Sequence, residues 1–191
     1  MAHNGWLRGY SQMRQELLSH IRPDLAARMR GTSDSEGIYA LVLSLLDDPT
    51  SSDPELLVEA LLAALRIVQK VRRAHGLAHG SAANLFFTNG RDCVGMRYAF
   101  DFGCYPTNDP GLVEDLYLQY TSLWYTIGER FGYEDGEWRM IGDPARSDSV
   151  LIASEPLTHD PTGWVEVPEY TAVVVKRRPD GIDVTTIPVD V

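Results

Sequence analysis

Residues 82–98 read AANLFFTNGRDCVGMRY, and this stretch decides the fold class of the chain. In both of its halves every second residue is apolar, at Leu85, Phe87, Val94, Met96 and Tyr98. A period of two is typical of a β-strand that buries one face. Asn89-Gly90 lies between the halves and is the strongest short signal for a hairpin turn. The stretch therefore predicts two antiparallel strands.

Upstream of this hairpin the apolar residues follow a helical spacing. The spacing predicts helices from Ser11 to about Ile21, with an interruption or restart at Pro23, from about Asp34 to Asp48, and from Asp53-Pro54 to near Gly76. Ser33 and Glu36 stand three apart, as in a capping box, just where the second helix begins. Asp53-Pro54 combines a cap with a proline at the first helical position. Helices therefore precede the sheet.

Downstream of the hairpin the chain returns to strand-like segments. The candidates are Ser122–Ile127, Ser149–Ala153, Tyr170–Lys176 and Ile182–Thr186, with turns at Asp135-Gly136 and Pro179-Asp180-Gly181. Phe102–Tyr120 shows no clean periodicity and is expected to be a long loop. A helical run followed by hairpin-linked strands favours an α+β fold with antiparallel sheet.

The composition is that of one ordinary globular domain. The chain has 191 residues, 44% of them hydrophobic and 23% charged, so we expect a single domain over residues 1–191. The net charge is −10 and the basic residues are mostly scattered, which predicts no nucleic-acid partner. No stretch approaches the roughly 18 apolar residues of a membrane span, and the first ten residues do not resemble a signal peptide. We expect a cytoplasmic protein without a membrane partner.

The cysteines, a pair of histidines and one arginine are potentially reactive, but their sequence contexts mainly indicate structural roles. Cys93 and Cys104 are too few for a disulfide scaffold and are not spaced like zinc ligands, so packed or surface thiols are expected. His75 and His79 stand four apart, but a glycine follows each and breaks the helix. We expect no metal and no cofactor. Arg97 faces either a site or water, and its sequence context favours water.

His3-Asn4-Gly5 has two interpretations. Hydrolysis of an amide passes through a tetrahedral oxyanion, which a side-chain amide and a backbone N–H stabilise together. Asn4 and Gly5 have these two donors and are candidate catalytic residues. An Asn-Gly pair is also a common turn, and spacing alone favours the turn.

Asp34 is a candidate substrate-binding residue with a competing structural role. A carboxylate in the first turn of a helix is favoured by the macrodipole, and the Ser33/Glu36 capping box explains its neighbours. The functional alternative is an ion pair with the α-ammonium of an amino-acid substrate. Without further context the capping explanation is favoured.

Five short motifs, in order, closely resemble a class II glutamine amidotransferase domain over nearly the whole chain. They are His3-Asn4-Gly5, residues 31–36 (GTSDSE), Asn84-Leu85 with Asn89-Gly90, residues 153–157 (ASEPL) and residues 164–168 (WVEVP). The likeness is greatest to the small stand-alone members, which include hydrolases of γ-glutamyl amides in glutathione turnover or ergothioneine synthesis. The resemblance implies a partial N-terminal-nucleophile hydrolase fold, an αββα sandwich of antiparallel sheets between helical layers.

The resemblance also implies roles for individual residues. Asn4 and the N–H of Gly5 are expected to form the oxyanion hole, and Asp34 to bind the α-amino group of glutamine or of a γ-glutamyl amide or peptide. Family members begin Met-Cys, and the cysteine attacks with its own α-amino group as base. Here the second residue is Ala2.

This departure leads to three expectations. The chain is expected to be an N-terminally truncated domain that is inactive alone. The alternative is a non-catalytic γ-glutamyl-binding or interaction protein that has lost the nucleophile. Missing strands would leave a sheet face and a strand edge uncovered, which predicts self-association through that face.

Overall fold

The computed structural model describes residues 1–48, 50, 53–78, 80–101, 122–134 and 136–190. The predicted loop Phe102–Tyr120, Cys104, His79 and Asp135 of a predicted turn lie outside the described residues. No helix in the described ranges is long and apolar enough to cross a membrane.

Four α-helices lie between residues 10 and 74 of the described chain, and they match the predicted ones closely. They are α1 (Tyr10–Ser19), α2 (Pro23–Ala26), α3 (Asp34–Leu45) and α4 (Pro54–Ala74). The first predicted helix is divided into α1 and α2, with Pro23 at the first position of α2, where its missing N–H costs nothing. The expectation that all helices precede the sheet is wrong in one respect, because residues 2–5 form a strand of the main sheet ahead of them.

The caps of α3 and α4 explain where these helices begin. The Ser33 hydroxyl accepts a hydrogen bond from the Glu36 N–H at 3.2 Å, which is half of the predicted capping box. The Glu36 carboxylate instead accepts from the backbone N–H groups of Arg30 and Gly31, at 2.8 and 2.7 Å. The Asp53 carboxylate accepts from the Glu55 N–H at 3.0 Å and caps α4.

Ten strands are present in the described ranges. They are β1 (Ala2–Gly5), β2 (Ser81–Thr88), β3 (Cys93–Phe100), β4 (Trp124–Gly128), β5 (Arg130–Glu134), β6 (Glu137–Ile141), β7 (Ser149–Ala153), β8 (Val165–Glu166), β9 (Thr171–Arg178) and β10 (Gly181–Pro188). A five-stranded antiparallel sheet has the order β1-β2-β3-β9-β10. A three-stranded antiparallel sheet has the order β7-β4-β8, and β5 pairs with β6.

The hairpin predicted from residues 82–98 is confirmed, but its turn is longer than Asn-Gly alone. Thr88 pairs with Cys93, so residues 89–92 form the connection. The Asn89 side-chain oxygen accepts hydrogen bonds from the N–H groups of Arg91 and Asp92, at 2.9 and 2.7 Å. Asn89 therefore closes a four-residue loop.

Two apolar cores lie on opposite faces of the five-stranded sheet. On one face α1, α3 and α4 pack through Met13, Leu41, Leu61 and Leu65 against Leu85 and Met96. On the other face Val173 and Val175 of β9 pack against Leu123, which precedes β4, and Val167, which follows β8. Both of these strands belong to the three-stranded sheet. The described layers are thus helices, a five-stranded sheet and a three-stranded sheet, which confirms the α+β class with antiparallel sheets. The fourth layer of the αββα sandwich stays a prediction.

Candidate functional site

Strand β1 carries the proposed oxyanion residues and turns its side chains to two different faces. His3 pairs with Leu85 and Asn4 with Asn84, and directly paired residues share a face of the sheet. Leu85 belongs to the core beneath the helices, so His3 lies on the helical side. Asn4 therefore lies on the face of Asn84, which is turned toward the second sheet.

Gly5 is required by the backbone whatever its catalytic role. Its φ is +148°, a region that side chains other than glycine rarely adopt. A Cβ at this position would lie 2.0 Å from the Ala82 carbonyl oxygen. The next residue, Trp6, donates its N–H to the same oxygen at 3.0 Å. Glycine thus allows the end of β1 to approach β2 closely.

Asp34 connects the end of β1 to the beginning of α3. One carboxylate oxygen accepts the Leu7 N–H at 2.8 Å, and the other accepts the Ser35 N–H at 2.7 Å. The side chain is 15% exposed. The oxygen bound to the Ser35 N–H also accepts from the Ser35 hydroxyl at 3.4 Å, whereas the oxygen bound to Leu7 can accept a second hydrogen bond. The structural role expected for Asp34 is therefore present, and the carboxylate retains capacity for an ammonium group.

His3 joins this cluster, although sequence reasoning gave it no separate role. Its Nδ1 lies 3.0 Å from the Ser35 hydroxyl and 3.9 Å from the nearer Asp34 oxygen. Burial lowers the pKa of His3, and the Asp34 carboxylate opposes that effect. The signal that could have identified His3 is the period of two along β1, which places residue 3 on the helical face.

A row of polar residues crosses the five-stranded sheet on the opposite face. Asn4, Asn84, Arg97 and Thr171 are successive partners in the register of β1, β2, β3 and β9. Asn4 is exposed, whereas the other three are buried. The row thus runs from the edge of the described sheet into the space between the two sheets.

Arg97 is buried and ion-paired, so the expectation that it faces water is wrong. It is 2% exposed, and its guanidinium donates to the Glu166 carboxylate at 3.0 Å and to the Val167 carbonyl at 2.5 Å. These partners lie about 70 residues further along the chain, beyond the range of any local sequence signal. Arg97 therefore ties the main sheet to β8.

Asn84 also joins the two sheets. Its side-chain amide donates to the Ser122 carbonyl at 2.6 Å, just before β4, and it is 0% exposed. The Ser122 hydroxyl in turn donates to the Ser154 carbonyl at 2.5 Å, at the end of β7. Two of the sequence motifs, at Asn84 and Ser154, therefore meet around Ser122.

The structure places Asp34 next to strand β1, which carries Asn4, but the two side chains do not contact each other. Asp34 lies beside His3, the residue before Asn4, and it binds the backbone that follows Gly5. The two side chains belong to opposite sides of β1, and within the described ranges no hydrogen bond or ion pair joins them. That both groups bind one substrate, as the family resemblance implies, stays a prediction.

Cys93 lies away from these groups. It pairs with Thr88, four residues along β2 from Asn84, which is about 13 Å at the usual rise of a strand. Its side chain is half-buried against the core between the sheets, and burial raises the pKa of the thiol. This environment disfavours the thiolate form that a nucleophile needs.

Comparisons with known proteins find similarity both in sequence and in fold. No family model matches the chain. The chain is 27% identical to the "Probable glutamine amidotransferase DUG3" of Saccharomyces cerevisiae, over 92% of this chain and 49% of that protein. It thus spans about half the length of this curated relative.

A solved structure shows the same fold. This structure is a glutamine aminotransferase class-II domain protein from Silicibacter pomeroyi, with a TM-score of 0.62 and 21% sequence identity. The match covers 99% of this chain and 67% of that one. The described fold is consistent with that of class II glutamine amidotransferase domains.

Proposed function

We propose that residues 1–191 form the glutamine-binding part of a class II glutamine amidotransferase or γ-glutamyl amide hydrolase. The observation that carries the proposal is the junction of β1 and α3. The Asp34 carboxylate holds the Leu7 N–H at 2.8 Å, so the candidate oxyanion strand and the candidate ammonium ligand are parts of one fixed unit. The similarity to a protein named as a probable glutamine amidotransferase supports the same assignment.

In the proposed reaction a thiolate attacks the side-chain carbonyl carbon of glutamine. The C–S bond forms, and the carbonyl electron pair moves to oxygen, where the amide of Asn4 and the N–H of Gly5 stabilise the negative charge. Loss of one such donor typically costs about 2.7–4 kcal/mol in activation free energy. The C–N bond then breaks, and ammonia leaves with the proton that the cysteine's α-amino group took from the thiol. Water then hydrolyses the thioester.

Asp34 is proposed to bind the α-ammonium group of the substrate. Two backbone N–H groups already orient its carboxylate, so little conformational freedom is lost when the ammonium binds. An ion pair with this preorganised carboxylate would hold the substrate by its amino-acid end. Selection for a γ-glutamyl group over a simple amide follows from this contact.

We propose that the nucleophilic cysteine comes from outside residues 1–191 and that these residues alone do not hydrolyse glutamine. Position 2 is alanine, and Cys93 has a raised pKa and a packed environment. The curated relative is about twice as long as this chain, which supports a contribution from further sequence. The alternative is a γ-glutamyl-binding protein without catalysis.

Binding to residues 1–191 tests the part of the proposal that this chain carries. We expect L-glutamine to bind more tightly than glutaramic acid, which lacks the α-amino group, in an NMR titration. Asp34→Asn should reduce the ratio of the two dissociation constants by about tenfold or more, the usual effect of losing a hydrogen bond to a charged group. Glu36→Gln is the matched control, because this carboxylate also binds backbone N–H groups but at Arg30 and Gly31.

Two outcomes would contradict the proposal. One is the absence of glutamine binding by the folded chain, and the other is a preference for glutamine that survives Asp34→Asn. Ammonia release separates the catalytic proposal from its alternative. Any longer product of the same gene should release ammonia from glutamine if the domain is catalytic, and should only bind glutamine if it is not.

A further inference from the structure

Asn84 has a buried hydrogen-bond acceptor that is left without a partner among the described residues. The side chain is 0% exposed, and within the described ranges no donor lies in hydrogen-bonding position to its Oδ1. A buried acceptor without a partner typically costs about 1–3 kcal/mol in folding free energy. Such a group is a candidate for binding something that the structure does not contain.

The orientation of this amide is determined by its other end. The Ser122 carbonyl lies 2.6 Å from Nδ2 and can only accept a hydrogen bond. The amide NH2 must therefore point to Ser122, and the remaining atom is an acceptor rather than a donor. A ligand of Asn84 must supply an N–H or O–H group.

The neighbours of Asn84 in the sheet indicate from which side a ligand approaches. On β3 its partner is Arg97, which is buried and bound to Glu166 and Val167. On β1 its partner is Asn4, which is exposed and lies at the edge of the described sheet. The open approach is therefore the side of Asn4.

The two asparagine side chains are complementary to a primary carboxamide. Paired residues in antiparallel strands have Cα atoms about 4.5–5.5 Å apart and side chains on one face. A carboxamide presents a carbonyl oxygen, which accepts, and an NH2 group, which donates. Asn4 has the donor for the carbonyl oxygen, and Asn84 has the acceptor for the NH2 group.

We propose that Asn84 is a substrate-binding residue that recognises the NH2 group of the glutamine side chain, while Asn4 binds its carbonyl oxygen. This assignment rests on the proposed function and specifies how the same site distinguishes an amide from an acid. A carboxylate in place of the carboxamide brings an oxygen instead of an N–H to the Asn84 acceptor. Glutamate, the product of hydrolysis, is therefore rejected where glutamine is held.

The competing explanation is that Asn84 only links the sheets through Ser122. A comparison of two ligands separates the explanations, since a structural role affects both ligands equally. L-Glutamine and 5-oxonorleucine have the same amino-acid end and side-chain carbonyl, but the ketone has a methyl group where glutamine has NH2. The quantity to measure is the ratio of their dissociation constants for residues 1–191.

We expect Asn84→Ala to change this ratio by about three- to tenfold in favour of the ketone, the usual range for one hydrogen bond. Ser122→Ala is the matched control, because it removes the bond from the Ser122 hydroxyl to Ser154 and leaves Asn84 and the Ser122 carbonyl in place. The control should leave the ratio unchanged, even if it weakens binding of both ligands.

A second measurement requires no variant. The side-chain amide resonance of Asn84 in the unmodified chain should shift on addition of glutamine, and shift less on addition of the ketone. A ratio unchanged by Asn84→Ala, or equal shifts with both ligands, would overturn the role of Asn84 while leaving the proposed function intact. Failure of the unmodified chain to bind either ligand would overturn both.

Discussion

Replacement of Gly5 by alanine tests whether β1 is held in place by a glycine-dependent approach to β2. The added Cβ would lie 2.0 Å from the Ala82 carbonyl oxygen, so the strands must separate by more than 1 Å to restore an ordinary contact of about 3.4 Å. That displacement breaks the 3.0 Å hydrogen bond from the Trp6 N–H to Ala82 and strains its neighbours in β1.

The size of the effect follows from two contributions. A residue other than glycine at positive φ costs about 1–2 kcal/mol. The loss of one or two strand hydrogen bonds adds about 0.5–1.5 kcal/mol each. In total, the free energy that keeps β1 paired with β2 should fall by about 2–5 kcal/mol. Because β1 is an edge strand with a free side among the described strands, we expect it to detach locally rather than unfold the core.

Gly90→Ala is the matched control for the backbone contribution. Gly90 has a φ of +88° and no atom within 4 Å of an added Cβ, so it has the conformational cost without the clash. Hydrogen exchange of the β2 amides that pair with β1 measures detachment, and urea unfolding measures global stability. Equal protection of these amides in Gly5→Ala and Gly90→Ala would refute the reasoning.

Three further predictions concern pH, reactivity and association. Burial depresses the folded-state pKa of His3 below the ordinary histidine value of about 6.5. Stability should therefore be retained above about pH 6.5 and lost as pH falls below it. His3→Gln should flatten this pH dependence of the free energy of unfolding, measured in urea, whereas substitution of the exposed His20 by Gln should leave it unchanged. A glutamine-mimicking electrophile should leave residues 1–191 unmodified by mass spectrometry, whereas stoichiometric labelling of Cys93 would reassign the nucleophile. Among the described strands β1 lies at the sheet edge, and the neighbouring Trp6 is 53% exposed. These features predict self-association, which a monomer in light scattering at high concentration would contradict.

The helices and the central hairpin could be predicted because their signals are local. Ser33 and Asp53 cap helices that begin within one residue of the expected positions. The predicted bounds of Ser149–Ala153 are those of β7. In each case the hydrophobic period and the boundary residues lie within one short window, so no distant contact is needed to identify the element.

The candidate site could be predicted only in part because its geometry depends on distant pairing. His3-Asn4-Gly5 has the local signal of a turn, yet it is a strand because residues 83–85 of β2 pair with it. The burial of Arg97 depends on Glu166 and Val167, and the role of Asn84 depends on Ser122. A period of two can place residues on a face, but it does not identify what covers that face.

The register of β1 determines which chemistry each of its residues can perform. A slip of one residue would turn Asn4 toward α3 and His3 toward the second sheet, because side chains alternate along a strand. The close approach of Gly5 to Ala82 and the Trp6 hydrogen bond resist such a slip, as does the Asp34 carboxylate at the Leu7 N–H. The three residues of the motif therefore have separable functions in this fold: His3 packs against the α3 junction, Gly5 sets the register, and Asn4 presents its amide beside Asn84.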